Sequence, residues 1–213
     1  EADRLSHIAV VHRAEGAYRE ARELNERVLA ILEKNLPPEH PEFAGTLNNL
    51  ALVHQDTAAY AEAQVLLERA LSILEKAFGP EHPEIATILE NLANVHYLAG
   101  AYANALTFHE RALAIKEKAF GPDHPDVALV LSNLAVAYEA AGVYPKARAL
   151  NERALAIYEK VGGPDHPDVA TTLHNLANVH EASRDFTGAR VLLERALAIL
   201  EKARGADHLE VAR

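Results

Sequence analysis

The sequence predicts an all-α solenoid, a row of antiparallel helix pairs stacked side by side, and three observations carry that expectation. His40, His82, His124, His166 and His208 each follow the one before by 42 residues, and a period of roughly 20–50 residues marks a stacked array. Within each period, apolar residues return twice at i, i+3, i+4 and i+7, the spacing of one helix face. Pairs such as Gly121-Pro122 close the period, because glycine accepts the left-handed conformation that ends a helix and proline cannot continue one. A single array over 1–213 follows, with repeats at about 1–38, 39–80, 81–122, 123–164 and 165–206 and a sixth starting at 207–213.

The third repeat shows how each element arises. After His82, Pro83 suits a first helical position, where its missing N–H costs nothing, and Glu84 meets the positive end of the helix dipole. Leu89, Leu92, Ala93 and His96 mark the buried face of this first helix, and Gly100 ends it. The second helix opens at Tyr102. Ala105, Phe108, His109, Ala112, Leu113 and Lys116 repeat the spacing, where the preceding repeat has Ala63, Leu66, Leu67, Ala70, Leu71 and Leu74. Leu47, Leu89, Leu131 and Leu173 align one repeat apart, as do Leu50, Leu92, Leu134 and Leu176. Ala51, Ala93, Ala135 and Ala177 in the first helices, and Ala21, Ala63, Ala105, Ala147 and Ala189 in the second, predict close approach at about 8–10 Å between axes.

Some positions depart from the pattern. Ala58 and Arg184 stand where Gly16, Gly100 and Gly142 form the turn within a repeat, and Ser183-Arg184-Asp185 is still expected to be polar and tight. Leu36-Pro37-Pro38 replaces the linker glycine by proline, which predicts a stiffer junction between repeats one and two. The chain opens inside a repeat without methionine and ends at Arg213, partway into a sixth first helix, with no polar capping helix at either end. That pattern is expected of a piece of a longer array, or of arrays that stack end to end.

Composition narrows the function classes. A net charge of −10 opposes phosphate backbones and anionic lipid, so neither nucleic acid nor membrane is an expected partner. The lack of cysteine excludes disulfides, thiolate zinc sites and cysteine nucleophiles. No apolar run approaches the roughly 20 residues that span a bilayer, and a cytoplasmic location is expected.

The motif Leu131-x-x-Leu134-Ala135-x-x-Tyr138-x-x-x-Gly142-x-Tyr144-x-x-Ala147, followed by Glu152-Arg153-Ala154-Leu155-Ala156-Ile157 and Gly163-Pro164-Asp165-His166-Pro167, resembles the tetratricopeptide repeat (TPR). Its 42-residue period resembles in particular the long repeats of the kinesin light chain. The resemblance covers essentially the whole chain and implies a right-handed superhelix whose concave wall is lined by the first helices. It implies a scaffold role, a property that folds of this kind serve in many ways.

Half-way round the first helices from their apolar stripe lies a second stripe, which would then line the groove. It reads Asp3, Ser6, His7 and Val10; Gly45, Asn48, Asn49 and Leu52; Thr87, Glu90, Asn91 and Asn94; Leu129, Ser132, Asn133 and Val136; and Thr171, His174, Asn175 and Asn178. Asn49, Asn91, Asn133 and Asn175 form a ladder of amides that can donate to and accept from an extended peptide backbone. The same ladder can instead tie neighbouring repeats together, and both readings stay open. Without lysine or arginine in the stripe, capture of a terminal carboxylate or of an acidic segment is not expected. A neutral or basic segment fits better, with Tyr97 and Leu98 as apolar contacts and Glu90, Glu139 and Glu181 as acceptors.

Twelve histidines raise the question of metal. Those between repeats lie a helix diameter or more apart, whereas zinc ligands must reach within about 2.1 Å of one ion, so no metal or other cofactor is expected. His12, His54, His96 and His180 take the place of Tyr138 and are expected to pack, while His124 and its equivalents are expected to brace the turn through a backbone bond. Glu-Arg pairs such as Glu110-Arg111 and Glu152-Arg153 recur in every repeat, as a solvated face or inter-repeat pairing would, whereas a catalytic site needs a unique constellation. The expected function is a non-enzymatic scaffold binding a peptide or protein segment. The alternatives are self-assembly through uncapped ends and a sensor arm of a larger effector.

Overall fold

The computed structural model describes residues 1–204, and His208, read above as the fifth repeat-spacing histidine, lies outside them. The described residues form ten α-helices and no strand: α1 (Ala2–Ala14), α2 (Tyr18–Asn35), α3 (Glu42–Asp56), α4 (Tyr60–Phe78), α5 (Pro83–Leu98), α6 (Tyr102–Phe120), α7 (Pro125–Ala140), α8 (Tyr144–Gly162), α9 (Pro167–Ala182) and α10 (Phe186–Arg204). They divide into two compact units, the division falling inside α6 after Ile115. In the first, α1 packs on α2 and α3 on α4 as hairpins, α2 and α4 each pack on the next first helix, and α1, α3 and α5 lie side by side. In the second, α7 pairs with α8 and α9 with α10, α8 packs on α9, and α7 lies beside α9. No helix among the described residues is long and apolar enough to cross a membrane.

Three of the first helices start as the His-Pro pairs predict, whereas α3 begins one residue later, at Glu42, with Pro41 in the cap position. Pro83, Pro125 and Pro167 are the first residues of α5, α7 and α9, and the preceding histidine is the cap. Each ring accepts a backbone N–H through Nδ1: from Glu84 to His82 at 3.4 Å, from Asp126 to His124 at 3.1 Å and from Asp168 to His166 at 3.3 Å. This serves one of the donors that a helix start leaves without an intrahelical partner. Phe78 and Phe120 stack on His82 and His124 at 4.6 and 4.9 Å between ring centroids, which holds the imidazoles over their turns.

The turns keep one geometry where the residue changes. Gly142 has φ 76°, and Ala58 and Arg184 take the same left-handed region at φ 59° and 63°. A side chain there costs free energy that glycine avoids. At the first linker, Pro37 drives the residue before it out of the helical region: Leu36 is extended at φ −128°, ψ 153°, whereas Gly79 ends α4 at φ 84°.

The core is the predicted lattice. Leu47, Leu89, Leu131 and Leu173 are fully buried, and the alanine columns are shielded almost completely. Ion pairs on the outer surface link successive repeats. Arg111 donates to Glu75 at 2.6 Å and to the Pro80 carbonyl at 3.1 Å, and Arg153 pairs with Glu117 at 2.6 Å and donates to the Pro122 carbonyl at 3.1 Å. Lys160 meets Asp123 at 2.6 Å, and Lys76 and Lys202 reach Glu39 and Asp165. Of the two readings of the Glu-Arg motif, inter-repeat pairing describes its arginine in these repeats. Such exposed pairs each contribute about 0–1 kcal/mol.

One core position carries polar groups that the stripe leaves unexplained. It is Leu67 in repeat two, but Asn25, His109 and Asn151 in repeats one, three and four, all buried. Asn25 donates to the Ala21 carbonyl at 2.9 Å, while both amide atoms of Asn151 and Nδ1 of His109 have no hydrogen-bond partner. Burial pushes the His109 imidazole down from 6.5 to about 4. The unfolded chain therefore takes up a proton below about pH 6.5 that the native state refuses until about pH 4, and stability falls as pH falls through that window. The loss is about 3 kcal/mol at its acid end. His109→Leu, which places the residue of Leu67 there, is expected to flatten this dependence. Urea unfolding of both proteins at about pH 7 and about pH 4.5 checks it; an equal acid loss in both would contradict it.

Candidate functional site

The first-helix face is built by the side-by-side packing of α1, α3 and α5, and separately of α7 and α9. Because one side of each first helix is occupied by leucine and alanine, the opposite stripe is left at the edge of the packed layer. Asn49, Asn91, Asn133 and Asn175 are all half-buried there, as are Asn48, Leu52, Asn94, Val136 and Asn178. Half-burial suits a recognition face, since each amide is held by packing while part of it reaches solvent.

Other predicted positions differ. His174 is exposed, and Leu98, next to a half-buried Tyr97, is 46% exposed. Tyr97 leans on Tyr102 with ring centroids 5.7 Å apart. Glu90 and Ser132 are buried, set back from the surface, and Ser132 Oγ has no hydrogen-bond partner. Glu139 is half-buried; burial raises its carboxyl above the usual range, and His174 on α9 acts in the opposite direction.

The amides are tied together at one rung. Asn91 Nδ2 donates to Asn48 Oδ1 at 2.7 Å, linking α5 to α3. The tying role therefore holds for Asn91, and the bond fixes the orientation of both amides. At the far end of α3, Asp56 accepts from Arg13 Nε at 2.6 Å, which links α3 to α1 and occupies the cation at the edge of the stripe.

Beside Asn48 the face opens into a cavity of about 230 Å³ bounded by Ala44, Gly45, Leu74, Thr87 and Ile88. Nothing lies within 4 Å of where a Gly45 side chain would begin. With apolar Pro41, Ala44, Leu74 and Ile88 beside polar Asn48, Glu84 and Thr87, the cavity is below the range of about 300–1,000 Å³ for drug-sized ligands and suits one side chain of an extended segment.

The histidines of the first-helix ends take different roles. His96 is buried and stacks on Phe108 at 5.3 Å, as the packing reading expects. His180 has leucine, Leu192, at the matching position, and its Nδ1 lies 2.8 Å from Asp185 Oδ2. Asp185 has no counterpart among Ala17, Ala59, Ala101 and Val143, and comparing repeats position by position is the signal that finds it. Among the described residues, no three histidine or acidic side chains come together as a metal site would require.

Two tetratricopeptide repeat family profiles match the chain, one at residues 42–118, 84–160, 126–202 and 168–213 and the other at 2–42. Among solved structures, the chain is similar to a Podosopora anserina protein described as a kinesin light chain with nearly identical TPR-like repeats. Identity is 31%, coverage 95% of this chain and 96% of that chain, and TM-score 0.83. Similarity to BtubC (BKLC) from P. vanneervenii is 28% in identity over 95% of this chain and 81% of that one, with TM-score 0.84. RapI in its apo form shares the fold at 18% identity, TM-score 0.80, over 95% of this chain and 71% of its own. Comparison with curated proteins gives no match.

The Asn48–Asn91 bond is open to direct measurement. In a double-mutant cycle with Asn48→Ala and Asn91→Ala, the two substitutions are expected to couple by about 0.5–1.5 kcal/mol of unfolding free energy. Additive losses would mean that the bond contributes nothing to joining α3 and α5.

Proposed function

Because the chain belongs to the tetratricopeptide repeat family, a family of protein-interaction scaffolds, we propose that it is a non-enzymatic scaffold holding an extended peptide or protein segment against its first-helix faces. The observation that carries this reading is the stripe of half-buried amides on helices lying side by side, with a side-chain-sized cavity next to Asn48. Asparagine presents a donor and an acceptor at once and so matches a peptide backbone of any sequence, while the cavity and the Tyr97–Leu98 step supply selectivity. A neutral or basic segment is the favoured ligand, since the stripe holds no lysine or arginine and the chain carries a net charge of −10. We read 1–213 as one array, because the family matches run without a break along it.

A second reading is self-association through α1. Ile8, Val10 and Val11 on that helix are 46%, 50% and 55% exposed, an apolar set that contact between arrays would cover. Sedimentation across a concentration series separates the two, since only association makes the mass rise with concentration.

Selection from a random peptide library tests the main reading. The wild-type chain is expected to enrich a shared motif that Asn91→Ala loses in the first unit, or that Asn133→Ala with Asn175→Ala loses in the second. Enrichment indifferent to both variants would move the site off these faces, and no enrichment by the wild type would count against short-peptide recognition.

A further inference from the structure

In a repeat array, side chains that serve the stack recur, so a constellation found in one repeat only asks for another explanation. Repeat five has one. His180, Arg184, Asp185 and Gly188 stand where repeat four has Tyr138, Gly142, Val143 and Lys146, and no other repeat has the four together. Asp185 Oδ1 accepts the Gly188 N–H at 2.9 Å and Oδ2 faces His180 Nδ1 at 2.8 Å. Gly188 is what permits this. A Cβ there would lie 2.5 Å from Asp185 Oδ2 and 2.6 Å from His180 Nδ1, so any other residue would force the pair apart.

The pair forms one wall of a cavity of about 530 Å³ in the second unit, where the start of α8 meets the end of α9. Tyr144 and Val179 give it an apolar side, and Arg148 and Arg184 add two guanidinium groups. Glu152 accepts from Arg148 Nε at 2.8 Å, which orients that guanidinium. Asp185 is held ionised, its carboxyl lowered by the Gly188 N–H, by the hydrogen bond from His180 and by the charge of Arg148. It therefore accepts from His180 Nδ1–H rather than donating to it. Arg184 occupies its left-handed turn at φ 63°, where Gly16, Gly100 and Gly142 sit without strain. A side chain kept at a cost in backbone energy is common where the side chain itself has a use.

We propose that this cavity is a second binding site, separate from the first-helix face, and that it takes a carboxylate carried on an apolar stem, from the C-terminus or an acidic side chain of a partner peptide. Two guanidiniums line the cavity beside the carboxylate of Asp185, and since Glu152 pairs with Arg148 from outside the lining, the donors and not a net positive charge are what the site offers a ligand. Arginine offers a planar pair of donors that matches a carboxylate. The volume and the Tyr144–Val179 wall exceed what a bare inorganic anion would fill and suit one or two peptide residues.

The test uses the full chain, isotope-labelled for NMR, and three probes: an acetylated Leu-Leu dipeptide with a free C-terminus, acetyl-Leu-Glu amide, and acetyl-Leu-Gln amide. At least one carboxylate probe is expected to shift the Gly188 amide and the His180 ring, and the neutral probe to shift neither. Which carboxylate binds tells whether a chain end or an acidic side chain is the source. Arg184→Gly is expected to raise Tm, by removing the strained side chain, while weakening binding by about tenfold. Arg148→Gln is expected to weaken it similarly, and Glu62→Gln, at an exposed position on α4, to leave it unchanged. Equal affinity for the neutral probe, undiminished binding by Arg184→Gly, or no shift with any probe at about 1 mM would each overturn the proposal. Loss of first-helix peptide binding with this site intact would concern only the earlier reading.

Discussion

Ala21, Ala63, Ala105 and Ala147 have no solvent exposure at all, and Ala189 nearly none, so these columns set how near two helix axes come within a hairpin. Everything else is arranged on that separation. First helices also pack on the preceding second helix, α3 on α2, α5 on α4 and α9 on α8. A hairpin alone would leave that second side wet. Burial is therefore shared between neighbours, as stacking requires, and one surface of each first helix is left over at the edge of the layer. The asparagine stripe occupies that surface because the core has no use for it.

Polar groups enter this scheme at defined places. The capping imidazoles of His82, His124 and His166 satisfy helix starts locally and need no neighbouring repeat. The arginine and lysine pairs on the outer surface do need one, since each reaches back about a repeat's length in sequence. Buried Asn25, His109 and Asn151 fit neither class: they occupy a leucine position and leave polar atoms without partners, a cost in stability that the apolar lattice offsets. The His180–Asp185 pair differs again, being a satisfied polar contact at one turn of one repeat.

Much of this was legible in residue order alone, for a physical reason. Helix starts, stops and buried faces are short-range properties, so His82-Pro83, Gly100 and the Leu89–Leu92–Ala93 spacing place α5 to within a residue or two. The repeated turn was legible even where glycine is missing, because Ala58 and Arg184 are held in the left-handed region by the helices on either side. The candidate face was legible as a stripe but not as a surface. Spacing could not distinguish half-buried Asn91 from buried Glu90 and Ser132, because depth depends on how neighbouring helices are tilted and spaced.

What the sequence by itself determined is the repeating unit: its period, its two helices, the residues that cap them and the columns that fill its core, all set by local conformational preference and by the 3.6-residue periodicity of apolar side chains. Only the tertiary structure decided which polar groups meet. Asn91 with Asn48, Arg111 with Glu75 and His180 with Asp185 are contacts whose existence turns on distances of a few tenths of an ångström. Those distances are fixed by helix packing, by the left-handed backbone at Arg184 and by the missing side chain at Gly188. Hydrogen bonds fail over such small displacements, whereas burial of a leucine tolerates them, and so the core could be read ahead of the structure and the polar contacts could not.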